Sequence, residues 1–531
     1  NRCVFIGNTG SNGGAIASNY LSNPKINRVT IVGNTATNDG GGISIQNGTN
    51  MTLAQSILNG NTPNQLSFIE NGAPSQLVCQ YTNIEGGQTE INTNNAGTLT
   101  WGNGNIEVDP DFVSEEYAFL ASSQCINAGH PDSTDSDGSR ADMGAYPYLN
   151  SYSGPDWHTT ISGDDIVGTG ELSNPFASIQ AGINFSESGD TIWVAPGTYT
   201  ENVNTRGRVL CIRGTGVTDD VIVDGNQLGS TLIISGTETT GLTKISGLTI
   251  RNGSGSANLH PYYLDGHPRG GGIAVVNANN TLIKDCIIED NTSKDGGGIW
   301  CLPIQDQITT IEDCTIRNNV VDGWHGGGIQ IQNYSSNARV TRCKIYGNST
   351  SGSGGGVYIQ NSIAEISNCL IYGNTASSGG GVENLMSVGW ATTTISQSTI
   401  VGNSSPFGGG LHLTGWDSND WSTVYLLNSI LWNNISDNGH EIASNEWGRL
   451  TAEYCLLDTQ ENWLSTVQMD SVHLEAGNVY LDPIFVNAAN NLYNLAAYSP
   501  AIGAGLNSSN TLSSDIEGNL RPNPSGSNPD M

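Results

Sequence analysis

The chain has 531 residues, with 49 Asp and Glu against 18 Lys and Arg, a formal net charge of −31 and a pI near 4.3. That balance argues against nucleic acid or an anionic membrane as partner, and more weakly against a polyanionic substrate. No apolar run is long enough for a transmembrane segment.

In chain order, Cys3-Val4-Phe5-Ile6-Gly7-Asn8 reads as the end of a repeat. The chain is therefore expected to be part of something longer, and the missing signal peptide carries no information. Residues 1–147 read as the C-terminal part of a first β-helix module with its terminal unit. The acidic stretch Asp132, Asp135, Asp137 and then Asp142 places carboxylates at alternate positions before a glycine, as a short Ca²⁺ loop does. Residues 148–175 read as a linker. A second module spans 176–531, with a cap at 176–200, coils at 201–480 and a terminal unit at 481–531. Its cap contains a short amphipathic helix after Pro175, expected to cover the open end of the solenoid.

The terminal unit occurs twice. Asp109-Pro110-Asp111-Phe112-Val113 matches Asp482-Pro483-Ile484-Phe485-Val486, and Ser123 to Gly129 matches Ser499 to Gly505. Met143 and Met531 close the two copies, and the first copy continues Gly144-Ala145-Tyr146.

Inside the coils a glycine triplet opens a strand, as at Gly296-Gly297-Gly298 or Gly354-Gly355-Gly356, and an Asn follows in the next corner. From Asn291 the steps through Asn319, Asn348, Asn374, Asn403 and Asn434 are 28, 29, 26, 29 and 31 residues. A period of that size marks a stacked repeat. Segments such as Ile329-Gln330-Ile331-Gln332 alternate with the period of a half-buried strand. A unit this short cannot bury its own apolar face, but stacked coils can. The predicted fold is all-β, a parallel β-helix in tandem modules with a short capping helix. Glycine serves close approach and left-handed backbone at corners. Asn is expected to adopt the left-handed region and to bond the Asn of the next coil. Cys3, Cys79, Cys286, Cys314, Cys343, Cys369 and Cys455 read as one register, so they are expected as a buried stack of reduced thiols.

Residues 176–226 resemble the N-terminal capping region of the pectate-lyase-like right-handed β-helix superfamily. The Gly13-to-Ile16 and Phe5-Ile6-Gly7-Asn8 elements are similar to repeats of the chlamydial polymorphic outer-membrane proteins. The terminal units resemble those of large secreted bacterial surface proteins. The resemblance implies a right-handed helix and an extracellular, bacterial setting. It does not select a function, because the superfamily includes lyases, hydrolases, epimerases, adhesins and spacers.

The row after each triplet runs Ala274, Trp300, Gln330, Tyr358, Glu383, His412 and is expected to face outward. Trp300 and Tyr358 would offer flat faces to sugar rings, with Gln330 to bond hydroxyls. Glu383, His412 and His325 are the candidate acid and base groups of an enzyme. Loop residues His267, Arg269 and Trp324 should cluster beside that face, next to a long insertion holding His260, Tyr262, Tyr263 and Asp265. The leading reading is a secreted or cell-surface structural or adhesive element that self-associates into a filament or stalk, or abuts neighbouring modules of the same protein. The alternatives are a polysaccharide lyase or hydrolase, or a non-catalytic glycan-binding module. The only cofactor the residues suggest is Ca²⁺.

Overall fold

The computed structural model describes residues 2–113, 117–236, 240–260, 265–304, 306–332, 337–388, 390–417, 420–465, 469–507, 513–521 and 527–531. It divides into two compact units, Asn1–Ser186 and Glu187–Met531. This boundary lies beyond the 175/176 junction read from the sequence. It assigns the helix Ile179–Phe185 to the first unit.

Each unit is a parallel β-solenoid whose strands pair with their copies one coil along, in three parallel sheets. In the second unit each sheet contributes an inward column of aliphatic side chains. One runs Ile245, Ile283, Ile311, Val340, Ile366, Ile395, Leu426. A second runs Ile250, Ile288, Ile316, Ile345, Ile371, Ile400, Leu431. A third runs Ile273, Ile299, Ile329, Val357, Val382, Leu411, Ile442. All three columns are buried. β-Branched residues suit this site because each packs on its own copy one strand spacing away, ~4.8 Å.

The asparagines form one hydrogen-bonded column at the corner between two sheets. Asn291, Asn319, Asn348, Asn374 and Asn403 are all buried. Each donates its backbone N–H and its Nδ2–H to the Oδ1 of the next, at 2.9–3.1 Å. A remaining Nδ2–H of each reaches a strand carbonyl, as from Asn348 to Ile316 at 3.0 Å. The left-handed conformation belongs to the residue before each ladder Asn, which corrects the sequence reading. Asp290, Asn318, Gly347, Gly373, Gly402 and Asn433 carry φ of 55°, 56°, 65°, 61°, 62° and 54°.

The column ends on an acid in one unit and an amide in the other. Asn434 donates to Glu441 through its backbone (3.1 Å) and its side chain (2.5 Å). Asn61 donates to Gln65 at 2.6 Å. Burial pushes the Glu441 carboxyl from 4.5 up to about 8, against the two Asn434 hydrogen bonds that pull it down. The unfolded chain therefore releases this proton at lower pH than the folded chain. Its stabilising contribution is complete below about pH 4.5 and is lost as pH rises toward 8, on the order of a few kcal/mol. Glu441→Gln should flatten the fall in melting temperature of the second unit across that window while leaving acidic samples nearly unchanged. Thermal melts at a series of pH values check this.

All ten cysteines are free thiols. Cys286, Cys314, Cys343, Cys369 and Cys455 occupy one column and are buried, with Ser398 and Ser429 between the last two. Cys79 departs from the expected register, since it lies inside the strand Ser75–Gln80, while Cys3 keeps the register, its carbonyl accepting from Thr30 N–H as that of Cys286 does from Thr315, but is exposed rather than buried.

The terminal units fold back on the sides of their own solenoids. In the first unit Met143 is buried with Ile57, Phe119 and Cys125. In the second, Met531 is buried with Ile430, Leu456 and Ala501. The stretch 148–175 is folded rather than extended: Trp157 is fully buried, its ring stacked against Phe176 at 6.4 Å. The helix Ile179–Phe185 is N-capped by Ser178. It packs on the first unit's terminal unit, Asn184 donating to the Ala121 and Ser123 carbonyls at 2.9 Å each. No helix among the described residues is long and apolar enough to cross a membrane.

Candidate functional site

The row Ala274, Trp300, Gln330, Tyr358, Glu383, His412 is in register across six strands, each residue opposite the next. It does not face solvent. Every member is at most 1% exposed. The cause lies in the glycine triplet. The first glycine of each triplet has positive φ, between 59° and 74° from Gly296 to Gly408. It brings the preceding turn over the strand, where an added Cβ would lie 2.6–2.9 Å from the Cβ of the row residue four positions on. Side chains that point away from the solenoid core are thereby roofed by their own loops. The expectation of an open aromatic face is corrected on this ground.

Under the roof the row is a polar line. Glu383 accepts from Ser378 (2.9 Å) and Thr414 (3.0 Å), and its Oε2 lies 2.7 Å from His412 Nδ1. The Tyr358 ring stacks on His325 at 4.2 Å, the planes nearly parallel at 4°. Burial lowers the His325 pKa, the nearby Glu383 charge opposing it in part. Trp300 is covered by Leu259 and by Arg269, whose guanidinium carbon sits 5.8 Å from the ring centre. Arg269 is itself 3% exposed, and pairs with Asp265 at 2.7 Å and with Asp295 at 3.6 Å. Burial pushes the Asp295 carboxyl up to about 7. Gln330 donates to Gln332 at 3.4 Å.

The structure thus puts Glu383 and His412 side by side in the row, with His325 in the loop above, stacked on Tyr358, but Glu383 and His412 are engaged with each other and screened from solvent. Of the loop candidates, Trp324 is exposed and His267 tilts against it at 4.8 Å. Tyr262 and Tyr263 lie outside the described residues. Ser378 and Thr414 were not singled out from the sequence, whereas Asp295 belongs to the loop residues read beside the triplets. Each sits immediately before a triplet or two places after a row residue, a position the repeat itself marks. A second outward row was also missed: Arg251, Glu289, Arg317, Tyr346, Tyr372 in register. There Arg317 donates to Glu289 (2.6 Å) and to the Tyr346 hydroxyl (3.1 Å), and Tyr346 stacks on Tyr372 at 4.7 Å.

The acidic loop does not fit Ca²⁺. Asp135 Oδ1 accepts from Arg2 (2.9 Å) and Arg28 (2.8 Å), and its Oδ2 from the Asp142 backbone (2.7 Å). Asp142 is buried, accepts from the Asn127 and Tyr148 backbones, and has its carboxyl pushed up to about 8 by that burial. Asp137 bonds Ser139 and the Asn150 backbone, while the Asp132 side chain is 92% exposed. Among the described residues no three His, Cys, Asp or Glu converge as a metal site.

Fold and geometry define a right-handed parallel β-helix. Residues 181–352 and 234–429 match the family model described as right handed beta helix region. Residues 28–46 match the Chlamydia polymorphic membrane protein repeat. No curated protein matches the chain. Among solved structures, pectate lyase Pel9A is similar at 15% identity and a TM-score of 0.41, over 68% of this chain and 94% of that one. Pectin methylesterase PemA from Erwinia chrysanthemi is similar at 10% identity and a TM-score of 0.31, over 63% and 94%. The GH136 lacto-N-biosidase from Eubacterium ramulus is similar at 11% identity and a TM-score of 0.30, over 61% and 67%.

Proposed function

We propose that this chain is a structural or adhesive β-solenoid of a secreted or cell-surface protein, built from tandem modules, each with a terminal unit folded on its side. The observation that carries the reading is the closed state of the Glu383–His412 pair. An acid and base at 2.7 Å, both at most 1% exposed, act as a structural tie under a roof of loops rather than as groups presented to a polymer. The match of residues 28–46 to the Chlamydia polymorphic membrane protein repeat supports the setting.

On this reading, a panel of plant and bacterial polysaccharides incubated with the protein shows neither new reducing ends, nor unsaturated products, nor released methanol. Electron microscopy of native material shows filaments with an axial repeat. Glu383→Gln replaces one acceptor oxygen by an NH2 donor, so only one of Ser378 and Thr414 can still donate to the side chain and the tie to His412 weakens; it should cost about 1–3 kcal/mol of stability. Polysaccharide turnover that disappears in Glu383→Gln would overturn the reading. A non-catalytic glycan-binding role has one observation in its favour: Trp324 is 48% exposed with His267 against it. Aromatic faces of this kind suit sugar rings. Binding lost in Trp324→Ala at unchanged melting temperature distinguishes that role.

A further inference from the structure

Four of the chain's eleven tryptophans, Trp390, Trp416, Trp421 and Trp447, fall at or beside one corner of the second unit. The corner joins the sheet that carries the Ala274-to-His412 row to the sheet that follows it in the coil. Trp390 lies opposite Trp421 in register, and Ser422 lies opposite Gly448, the residue after Trp447. Trp416 follows Gly415, where an added Cβ would lie 2.8 Å from Trp447 Cβ, so Trp416 and Trp447 stand on touching coils. Trp416 is 65% exposed and Trp447 36%. Large aromatic surface kept in solvent on neighbouring coils marks a contact surface.

Trp447 is also held against its backbone preference. It follows the strand Ile442–Glu446 with φ 46°. The same place after Ile273–Val276 and after Val357–Gln360 is taken by Asn277 and Asn361, with φ 46° and 51°. Asn tolerates the left-handed region, whereas a bulky side chain there is strained. Folding alone favours Asn at this corner, and strain of this kind gathers where a residue serves a ligand.

The surroundings are acidic. Asp417 and Asp420 stand between Trp416 and Trp421, and Asp417 is exposed. Between Lys344 and Arg449 the sequence holds no Lys or Arg. Arg449 lies over the Trp421 ring and donates to Asp470 at 2.9 Å. The corner therefore already seats one cation on an indole face. Exposed indoles with carboxylates beside them are complementary to another, and Trp is the best side chain for that contact.

We propose that this corner binds a quaternary ammonium group, that of choline. Its methyl groups pack on the Trp416 and Trp447 rings, and its charge is met by the ring faces and by Asp417. Such a cation has no hydrogen to donate, so ring faces suit it better than a cage of close acceptors. The seat lies at the exit of its sheet's strands, whereas Trp324 lies at their entry. It does not depend on the role proposed above for the solenoid.

The test titrates the full chain with choline chloride and reads saturation transfer from protein to choline methyl protons by NMR. Sodium chloride at equal ionic strength replaces added salt in each sample. Saturable binding in the low-millimolar range is expected. Trp416→Ala should weaken it about fivefold. Trp447→Asn should abolish it with a melting temperature close to that of the parent, because Asn is what the same corner takes in two other coils. Phosphocholine should bind less tightly, since its phosphate meets Asp417. Transfer that does not saturate, or that is unchanged in both variants, overturns the proposal. So does phosphocholine binding at least as tightly as choline, or a neutral oligosaccharide that displaces nothing yet loses its own binding in Trp447→Asn while choline keeps its binding.

Discussion

Asn348→Leu should cost the second unit about 5 kcal/mol, the sum of three orphaned buried groups at roughly 1–3 kcal/mol each. Leu has the branching of Asn, but its methyl groups need about 3.5 Å where Asn348 Oδ1 and Nδ2 sit 2.9–3.0 Å from their partners, so crowding adds to the lost hydrogen bonds. The Ile316 carbonyl loses its donor. The Asn319 backbone N–H and Nδ2–H lose the oxygen they share. None can turn to water, because the corner is 0% exposed at both Asn319 and Asn348. A neighbouring substitution separates this mechanism from general intolerance of corners. Asn318 holds φ 56°, and Gly347 and Gly373 stand at the same place one and two coils on. Asn318→Gly should therefore change stability by less than about 1 kcal/mol. Chemical denaturation of the two variants beside the parent checks both. An unchanged transition in Asn348→Leu would mean the ladder is not a structural column.

The contrast between those two residues marks where sequence reading succeeded and where it stopped. The coil period, the parallel stacking and the Asn column were legible because each is a repeat, and repetition survives any error in a single strand. The assignment of left-handed backbone to the ladder Asn failed. The position before it varies among Asp, Asn and Gly, so it does not look like a motif, although those three types are the ones that tolerate φ > 0. The row from Ala274 to His412 was legible in register, yet its exposure was not. Alternation along a strand tells inside from outside, and says nothing of a loop that returns over the outer face. The Asp135 loop was misread for a different reason. Its neutralising partners Arg2 and Arg28 are 133 and 107 residues distant in sequence. No local pattern announces an ion pair across that separation.

The glycine triplets lead to the second large effect. Gly355→Val should cost at least ~3 kcal/mol, and Gly355→Ala nearly as much. Gly355, the middle glycine of its triplet, has no positive φ, so the usual argument from backbone freedom does not apply to it. What fixes it is contact. A Cβ there would lie 2.5 Å from the Gly380 carbonyl oxygen, 2.7 Å from the Thr375 oxygen and 2.8 Å from the Thr375 nitrogen. All three are backbone atoms of the next coil, so no side chain can rotate aside. The neighbours are held in turn: Gly355 N–H donates to Gly379 O at 3.1 Å and Thr375 N–H to Asn348 O at 3.0 Å. Relief requires parting two coils at the corner where the Asn ladder also crosses, and the first methyl group already demands it. Gly373 offers the opposite case. It has φ 61° with nothing within 4 Å of an added Cβ, and Asn318 fills the same place two coils earlier. Gly373→Asn should be close to neutral. If Gly355→Ala melts with the parent, the middle glycine is not the contact that sets coil spacing. If Gly373→Asn is as damaging as Gly355→Ala, backbone conformation rather than close approach governs both.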